Sequence, residues 1–71
     1  MKEISKRQRQ VLNFVRSYIN QRGYPPAMSE IADFLGIYVS SVFAHLGALE
    51  KKGYIERVPG KPRTITIKET A

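Results

Sequence analysis

The chain has 71 residues, of which 12 are Lys or Arg and 6 are Asp or Glu, giving a formal net charge of +6 and a pI of about 10.0. A chain of this length forms one small domain, and without cysteine it has neither a disulfide nor a thiolate metal site. No apolar run has the length of a membrane-spanning helix or of a signal peptide. We therefore expect a single basic domain, residues 1–71, with no cofactor and no membrane contact. The absence of cysteine is compatible with the cytoplasm, which is the compartment we expect.

The charges are unevenly distributed along the chain. Residues 1–23 and 51–71 carry six basic side chains each, whereas residues 24–50 contain no Lys or Arg. A small basic domain is suited to a polyanionic partner. Phosphates are contacted by Lys and Arg, while bases are read by groove contacts that need no charge. Residues 24–50 contain three acidic side chains, Glu30, Asp33 and Glu50, and the proposed recognition segment within them is uncharged. This segment between basic ends favours a nucleic-acid reader over charges that only confer solubility.

The first helix is predicted over about residues 6–22. Ser5 and Gln8 have the spacing of a capping box, and Gly23 is a typical helix stop. Between them, apolar residues recur at helical spacing and predict one broad buried face. These residues are Val11, Leu12, Phe14, Val15, Tyr18 and Ile19.

A second helix is predicted over about residues 28–35, after a rigid connector that ends in two prolines. If Ala27 is its N-cap, Glu30 can accept the Ala27 N–H, but Ala27 has no side-chain oxygen to complete a capping box. Alternatively, the helix begins later, with Ser29 as the cap. The expected core residues are Ile31, Ala32, Phe34 and Leu35.

After Gly36, which permits a tight turn, a third helix is predicted over about residues 40–52. Val42, Leu46 and Leu49 recur at i, i+4 and i+7 and are expected to face the core. Helices two and three with this short junction are typical of a helix-turn-helix, whose second helix enters the DNA major groove.

Two β-type runs follow, from Tyr54 to Val58 and from Thr64 to Lys68, around a turn containing proline and glycine. They predict a hairpin, the wing, over about residues 54–68. The predicted fold is therefore mostly α with a small β-hairpin (α+β), a three-helix winged helix-turn-helix.

The candidate base-reading site is the outer face of the third helix near its N-terminal turn. Ser40, Ser41 and Ala44 are expected opposite the buried stripe, and serine can bond several bases. Ser40 fits an N-cap role equally well. Phe43 lies about 100° round from Val42, so it either covers the core edge or touches thymine methyl groups; we predict the groove.

Basic residues at both ends are the expected phosphate contacts. Some cluster where the first helix begins, since a helix N-terminus adds partial positive charge, and others project from the wing toward the backbone or minor groove. The full set is Lys6, Arg7, Arg9, Lys52, Lys61 and Arg63.

Catalysis has little support in the sequence. The chain has no cysteine, no metal-ligand spacing and no Gly-rich phosphate loop, and its single histidine is His45 in the third helix. His45 either contacts a phosphate or is half-buried with its ring nitrogens hydrogen-bonded; we predict the second. We expect no enzyme activity and no metal site.

A series of segments matches a known family in order along the chain: Ser5-Lys-Arg-Gln8 with Val11-Leu12, Gly23-Tyr-Pro-Pro26, Glu30-Ile31, Leu35-Gly36, His45-Leu46, Leu49-Glu-Lys-Lys-Gly53 and Gly60-Lys-Pro-Arg63. The chain resembles the N-terminal DNA-binding domain of the LexA repressor family over nearly its whole length. The resemblance implies repression of DNA-damage (SOS) response genes through a palindromic double-stranded operator. It also implies dimers held mainly by a C-terminal peptidase domain, which cleaves its own linker when the RecA filament activates it.

By position, the resemblance implies a base-reading segment of Val39, Ser40, Ser41, Phe43 and Ala44. The stretch between Gly36 and His45 is one residue shorter than in many relatives, and Ala27 replaces a frequent serine. We expect this chain to end before the peptidase domain, so that self-cleavage and RecA contact are absent and a second copy is met only on DNA.

Two other functions remain open. A standalone phage or mobile-element regulator would have kept only the DNA-binding half. A winged-helix protein-interaction module would have an exposed apolar patch on the third helix, and its DNA binding would be weak and insensitive to salt.

Overall fold

The computed structural model describes residues 3–58, 60 and 64–68. Its elements in chain order are α1 (Lys6–Arg22), α2 (Met28–Leu35), α3 (Val39–Lys51), β1 (Ile55–Glu56) and β2 (Thr66–Ile67). The two strands pair antiparallel. This architecture confirms the predicted α+β fold, a three-helix winged helix-turn-helix.

The two ends of α1 are defined by local sequence. The Gln8 N–H donates to Ser5 Oγ at 3.1 Å, and the Ser5 N–H donates to Gln8 Oε1 at 3.0 Å, which is the predicted capping box. At the other end Gly23 has a φ of 81°, and its N–H donates to the Ile19 carbonyl at 2.8 Å. A left-handed glycine of this kind is the commonest helix stop.

The N-cap of α2 is Ala27, so the alternative in which the helix begins later with Ser29 as its cap is wrong. The Ala27 N–H donates to Glu30 Oε1 at 2.8 Å. Ala27 has no side-chain oxygen to return this bond, so only half of a capping box forms, and the Glu30 N–H donates to the Ala27 carbonyl at 3.1 Å. Gly36, with a φ of 67°, ends the helix and opens the turn toward α3.

The core lies between the three helices and the inner side of the hairpin. Its buried members come from the three helices, from β1 and from the residue before β2: Val11, Leu12, Val15, Ile31, Ala32, Val42, Leu46, Leu49, Ile55 and Ile65. Phe34, predicted in this core, is instead 67% exposed. Since it is about 200° round the helix from buried Ala32, its ring points outward and stacks on Phe14 at 4.4 Å between ring centroids.

The helix α3 begins and ends one residue earlier than predicted, and α2 and α3 meet at 108°. This angle is typical of a helix-turn-helix. The N-cap of α3 is Tyr38, so the proposed N-cap role of Ser40 is wrong. Within the described residues, no single helix is long and apolar enough to cross a membrane; α2 and α3 meet that criterion only as a bent pair.

The hairpin has the register Ile55↔Ile67 and Glu56↔Thr66, and its strands are shorter than predicted. The Lys68 N–H donates to the Tyr54 carbonyl at 2.8 Å just beyond the strands. Toward the turn, Thr64 Oγ1 accepts the Val58 N–H at 3.1 Å and donates to the Val58 carbonyl at 3.3 Å. The Thr64 side chain therefore replaces the backbone hydrogen bonds that would pair two strands at this end of the hairpin.

Candidate nucleic-acid interface

The helix α3 has a buried side and an opposite outer side. Val42, Leu46 and Leu49 are fully buried. Since each residue turns the helix by about 100°, the outer side contains Ser40, Ala44, Gly47 and Lys51. Ser40, Ala44 and Lys51 are exposed there. The result is a narrow stripe of small, uncharged side chains that ends in a lysine.

Four of the five predicted base-reading residues are exposed on α3: Val39, Ser40, Phe43 and Ala44. Ser41, predicted on the same face, is half-buried at one flank of the stripe. The structure therefore brings these residues to the first two turns of α3. In a helix-turn-helix these turns are the part that approaches base edges.

Phe43 lies on the flank of α3 that faces the hairpin. Its side chain is 57% exposed, which places it on the outer surface instead of at the core edge. The guanidinium carbon of Arg57 lies 5.3 Å from its ring centroid, within the range of a cation–π contact.

Arg57, which directly follows β1, is also paired with Glu50. Its Nη2 and Nε donate to Glu50 Oε1 at 3.1 and 3.4 Å. The Arg57 side chain is 19% exposed and that of Glu50 is 38% exposed. One side chain of the hairpin thus contacts two residues of α3 that lie about two turns apart.

The other flank of α3 faces the start of α1. Lys52 is half-buried, and its Nζ donates to the Glu3 carbonyl at 2.9 Å and to Gln8 Oε1 at 3.1 Å. This contact brings the end of α3 to the N-terminus of α1, where Lys6, Arg7 and Arg9 are exposed. Lys52, predicted as a phosphate contact, thus holds two protein acceptors and keeps one N–H for another partner.

His45 lies on the same flank as Lys52 and is half-buried, as predicted. The predicted hydrogen bonds of its ring nitrogens are not formed within the described part of the chain. Over those residues, no three His, Cys, Asp or Glu side chains are grouped to hold a metal ion. Lys61 and Arg63, the predicted wing contacts, lie outside the described residues.

Comparison with known proteins assigns this chain to a family. The LexA DNA binding domain family matches residues 1–64. The chain belongs to this family. It is 49% identical over 70 residues to the LexA repressor of Thermotoga maritima, covering 99% of the chain and 36% of that protein. LexA repressors of Caldicellulosiruptor saccharolyticus and a Geobacillus species are each 48% identical, over 93% and 94% of the chain.

This LexA-type domain spans about a third of the length of the repressors it matches. It is the DNA-binding part of such proteins, which points to a role in binding and not in catalysis. The sequence prediction did not include three residues near the outer surface of the domain: Gly47, Lys51 and Arg57. The helical spacing of positions 40, 44, 47 and 51 indicates the outer stripe and therefore predicts the first two. No local pattern indicates the Arg57 contacts.

Proposed function

We propose that this LexA-type domain reads double-stranded DNA by placing α3 in the major groove. The observation that carries the proposal is that Ser40, Ala44 and Gly47 form an outer stripe on α3. This stripe lies opposite the fully buried side of the helix. Small side chains let a helix backbone approach the groove floor, and the major groove shows a distinct pattern for each base pair. A net charge of +6 supplies the general attraction to DNA.

The base contacts come from the start of α3. Ser40 and Ser41 offer hydroxyl groups that donate or accept, and Val39, Phe43 and Ala44 offer apolar contact to thymine methyl groups. Ser40, Phe43 and Ala44 are exposed in the first two turns, where a recognition helix approaches bases.

Phosphate contacts flank this segment on both sides. Lys6, Arg7 and Arg9 are exposed at the α1 N-terminus, which the Lys52 contacts bring beside α3. On the opposite flank of α3, Lys61 and Arg63 of the predicted wing would contact the phosphate backbone of the DNA. Basic groups on both sides of α3, whose first two turns are uncharged, position this helix on DNA without dictating sequence.

The biological role we infer is transcriptional repression, in line with the relatives named LexA repressor. The genes repressed would be those of the DNA-damage response, as the family resemblance implies. Two copies would bind the half-sites of a palindromic operator, since helix-turn-helix proteins commonly read half-sites one helical turn apart. RecA would act only through a peptidase domain such as LexA-type repressors carry. We expect the domain to perform this role in the cytoplasm.

The experiment that tests the proposal is selection of bound sequences from random duplex DNA, repeated at two salt concentrations. We expect a defined half-site and an affinity that falls steeply with salt, because each neutralised phosphate releases about one counterion. No enriched sequence, with affinity unchanged by salt, would contradict it.

Such a result would favour a protein-interaction module. The observation behind that second candidate is a set of exposed aromatic rings: Phe34, Tyr38 and Phe43. A module of this kind would bind an apolar partner equally well at both salt concentrations.

A further inference from the structure

Arg57 connects the hairpin to the recognition helix through two different contacts. Glu50 and Phe43 are seven residues apart, two turns of α3, and the Arg57 guanidinium reaches both. A planar guanidinium can pair with a carboxylate at its edge while its face lies on an aromatic ring. The ammonium of lysine offers neither the fork nor the flat face.

Gly47 lies between these two contacts. A Cβ built on Gly47 would be 4.0 Å from Arg57 Nη2, an ordinary van der Waals distance, so the guanidinium lies close to the surface of the helix at this position. With 19% of its side chain exposed, Arg57 has little freedom to move away.

A second ion pair of the hairpin lacks these features. Lys68 Nζ lies 3.8 Å from Glu56 Oε1, and the two side chains are 51% and 66% exposed. Both partners belong to the hairpin or its edge, and neither is at α3. This pair has the same charges as the Arg57 pair without its contact to the recognition helix.

We propose that Arg57 is a positioning residue for base reading: it holds the Phe43 ring in one orientation and sets the hairpin against α3. The proposal rests on the proposed function, in which Phe43 meets bases. An aromatic ring that is 57% exposed is free to change rotamer unless a neighbour restrains it. Arg57 supplies that restraint, so its loss lowers discrimination between sequences more than it lowers general affinity.

The test compares affinities of the full chain for its selected operator and for a duplex substituted at the base pair whose preference Phe43→Ala weakens most. We expect Arg57→Gln to reduce the ratio of the two affinities about tenfold, a coupling typical of side chains in contact. Arg57→Lys keeps the charge and the non-specific affinity yet also reduces the ratio. In the Phe43→Ala background, Arg57→Gln should reduce it no further. Lys68→Gln, the matched control, should leave it unchanged.

Equal losses of affinity for both duplexes, with the ratio intact, would overturn the proposal and leave Arg57 a purely structural residue. A wild-type ratio in Arg57→Lys would do the same. Melting curves accompany each variant, and if Arg57→Gln does not fold, the charge-conserving Arg57→Lys decides. If the unsubstituted chain itself selects no sequence, the proposed function fails first, which is a distinct outcome.

Discussion

The hydroxyl of Tyr18 donates a hydrogen bond of 2.8 Å to Oε2 of Glu30. The other oxygen of the same carboxylate accepts the Ala27 N–H at the start of α2. One acidic side chain therefore caps α2 and joins it to α1. Because α2 supports α3 across the 108° bend, this carboxylate helps to set where the recognition helix lies.

Removing the Tyr18 hydroxyl tests this junction. We expect Tyr18→Phe to lower the free energy of unfolding by about 1–2 kcal/mol, since the lost bond is to a charged, half-buried acceptor. The control is Tyr38→Phe, which removes a hydroxyl from a side chain that is 82% exposed and should change nothing. Thermal melting measures both, and equal midpoints for the two variants would show that the bond contributes no stability.

The incomplete cap of α2 offers a stabilising change. The Glu30 N–H donates to the Ala27 carbonyl at 3.1 Å, and Ala27→Ser adds a hydroxyl oxygen that completes the capping box. This change should raise the free energy of unfolding by about 1 kcal/mol. In a domain this small, the melting temperature should rise by roughly 4–8 °C. Ser29→Ala, at an exposed position inside α2, should leave the melting temperature unchanged. A destabilised Ser29→Ala beside an unchanged Ala27→Ser would mean that α2 starts later in solution.

Much of this fold follows from local sequence signals. The Ser5–Gln8 box and Gly23 define α1 because both act through backbone groups within one helical turn. Phe34 is apolar yet exposed, because its angular position on the short helix α2 directs it away from the core. The N-cap of α3 has no sequence signal, because Tyr38 caps the helix without a side-chain hydrogen bond.

The candidate site was only partly predictable. The outer residues of α3 follow from the helical period, since the buried stripe determines which side remains exposed. The contacts of Arg57 with Phe43 and Glu50 depend on the angle between the hairpin and α3. That angle is a tertiary property, which neither residue spacing nor propensity specifies.

Base reading by α3 predicts a change of preference without a loss of fold. Phe43→Ala and Ser41→Ala should each remove roughly 1–3 kcal/mol of discrimination at one or two operator positions, while non-specific affinity persists. Phe34→Ala deletes an equally large exposed ring from α2 and serves as the control. Binding to a panel of single-base operator variants measures this. If Phe43→Ala lost thermal stability and kept the wild-type preference, its ring would belong to the core.

The predicted wing contacts should act on all sequences alike. Lys61→Ala and Arg63→Ala should each weaken binding to every duplex and lower the magnitude of the salt slope by about one, the counterion release of one phosphate contact. Arg22→Ala removes the same charge from the far end of α1, where the guanidinium lies over Tyr18, and should leave the slope unchanged. Wild-type slopes in both wing variants would exclude the wing from the interface.

The central claim, that the outer stripe of α3 enters the groove, is tested most directly by adding one negative charge to it. Ala44 is exposed and glutamate is a good helix former, so Ala44→Glu should keep the fold. Affinity for every duplex should fall about 100-fold or more, since a carboxylate would face the DNA. Ser17→Glu adds the same charge at an exposed position of α1 and should cost far less. Equal affinities for the two folded variants would contradict the claim.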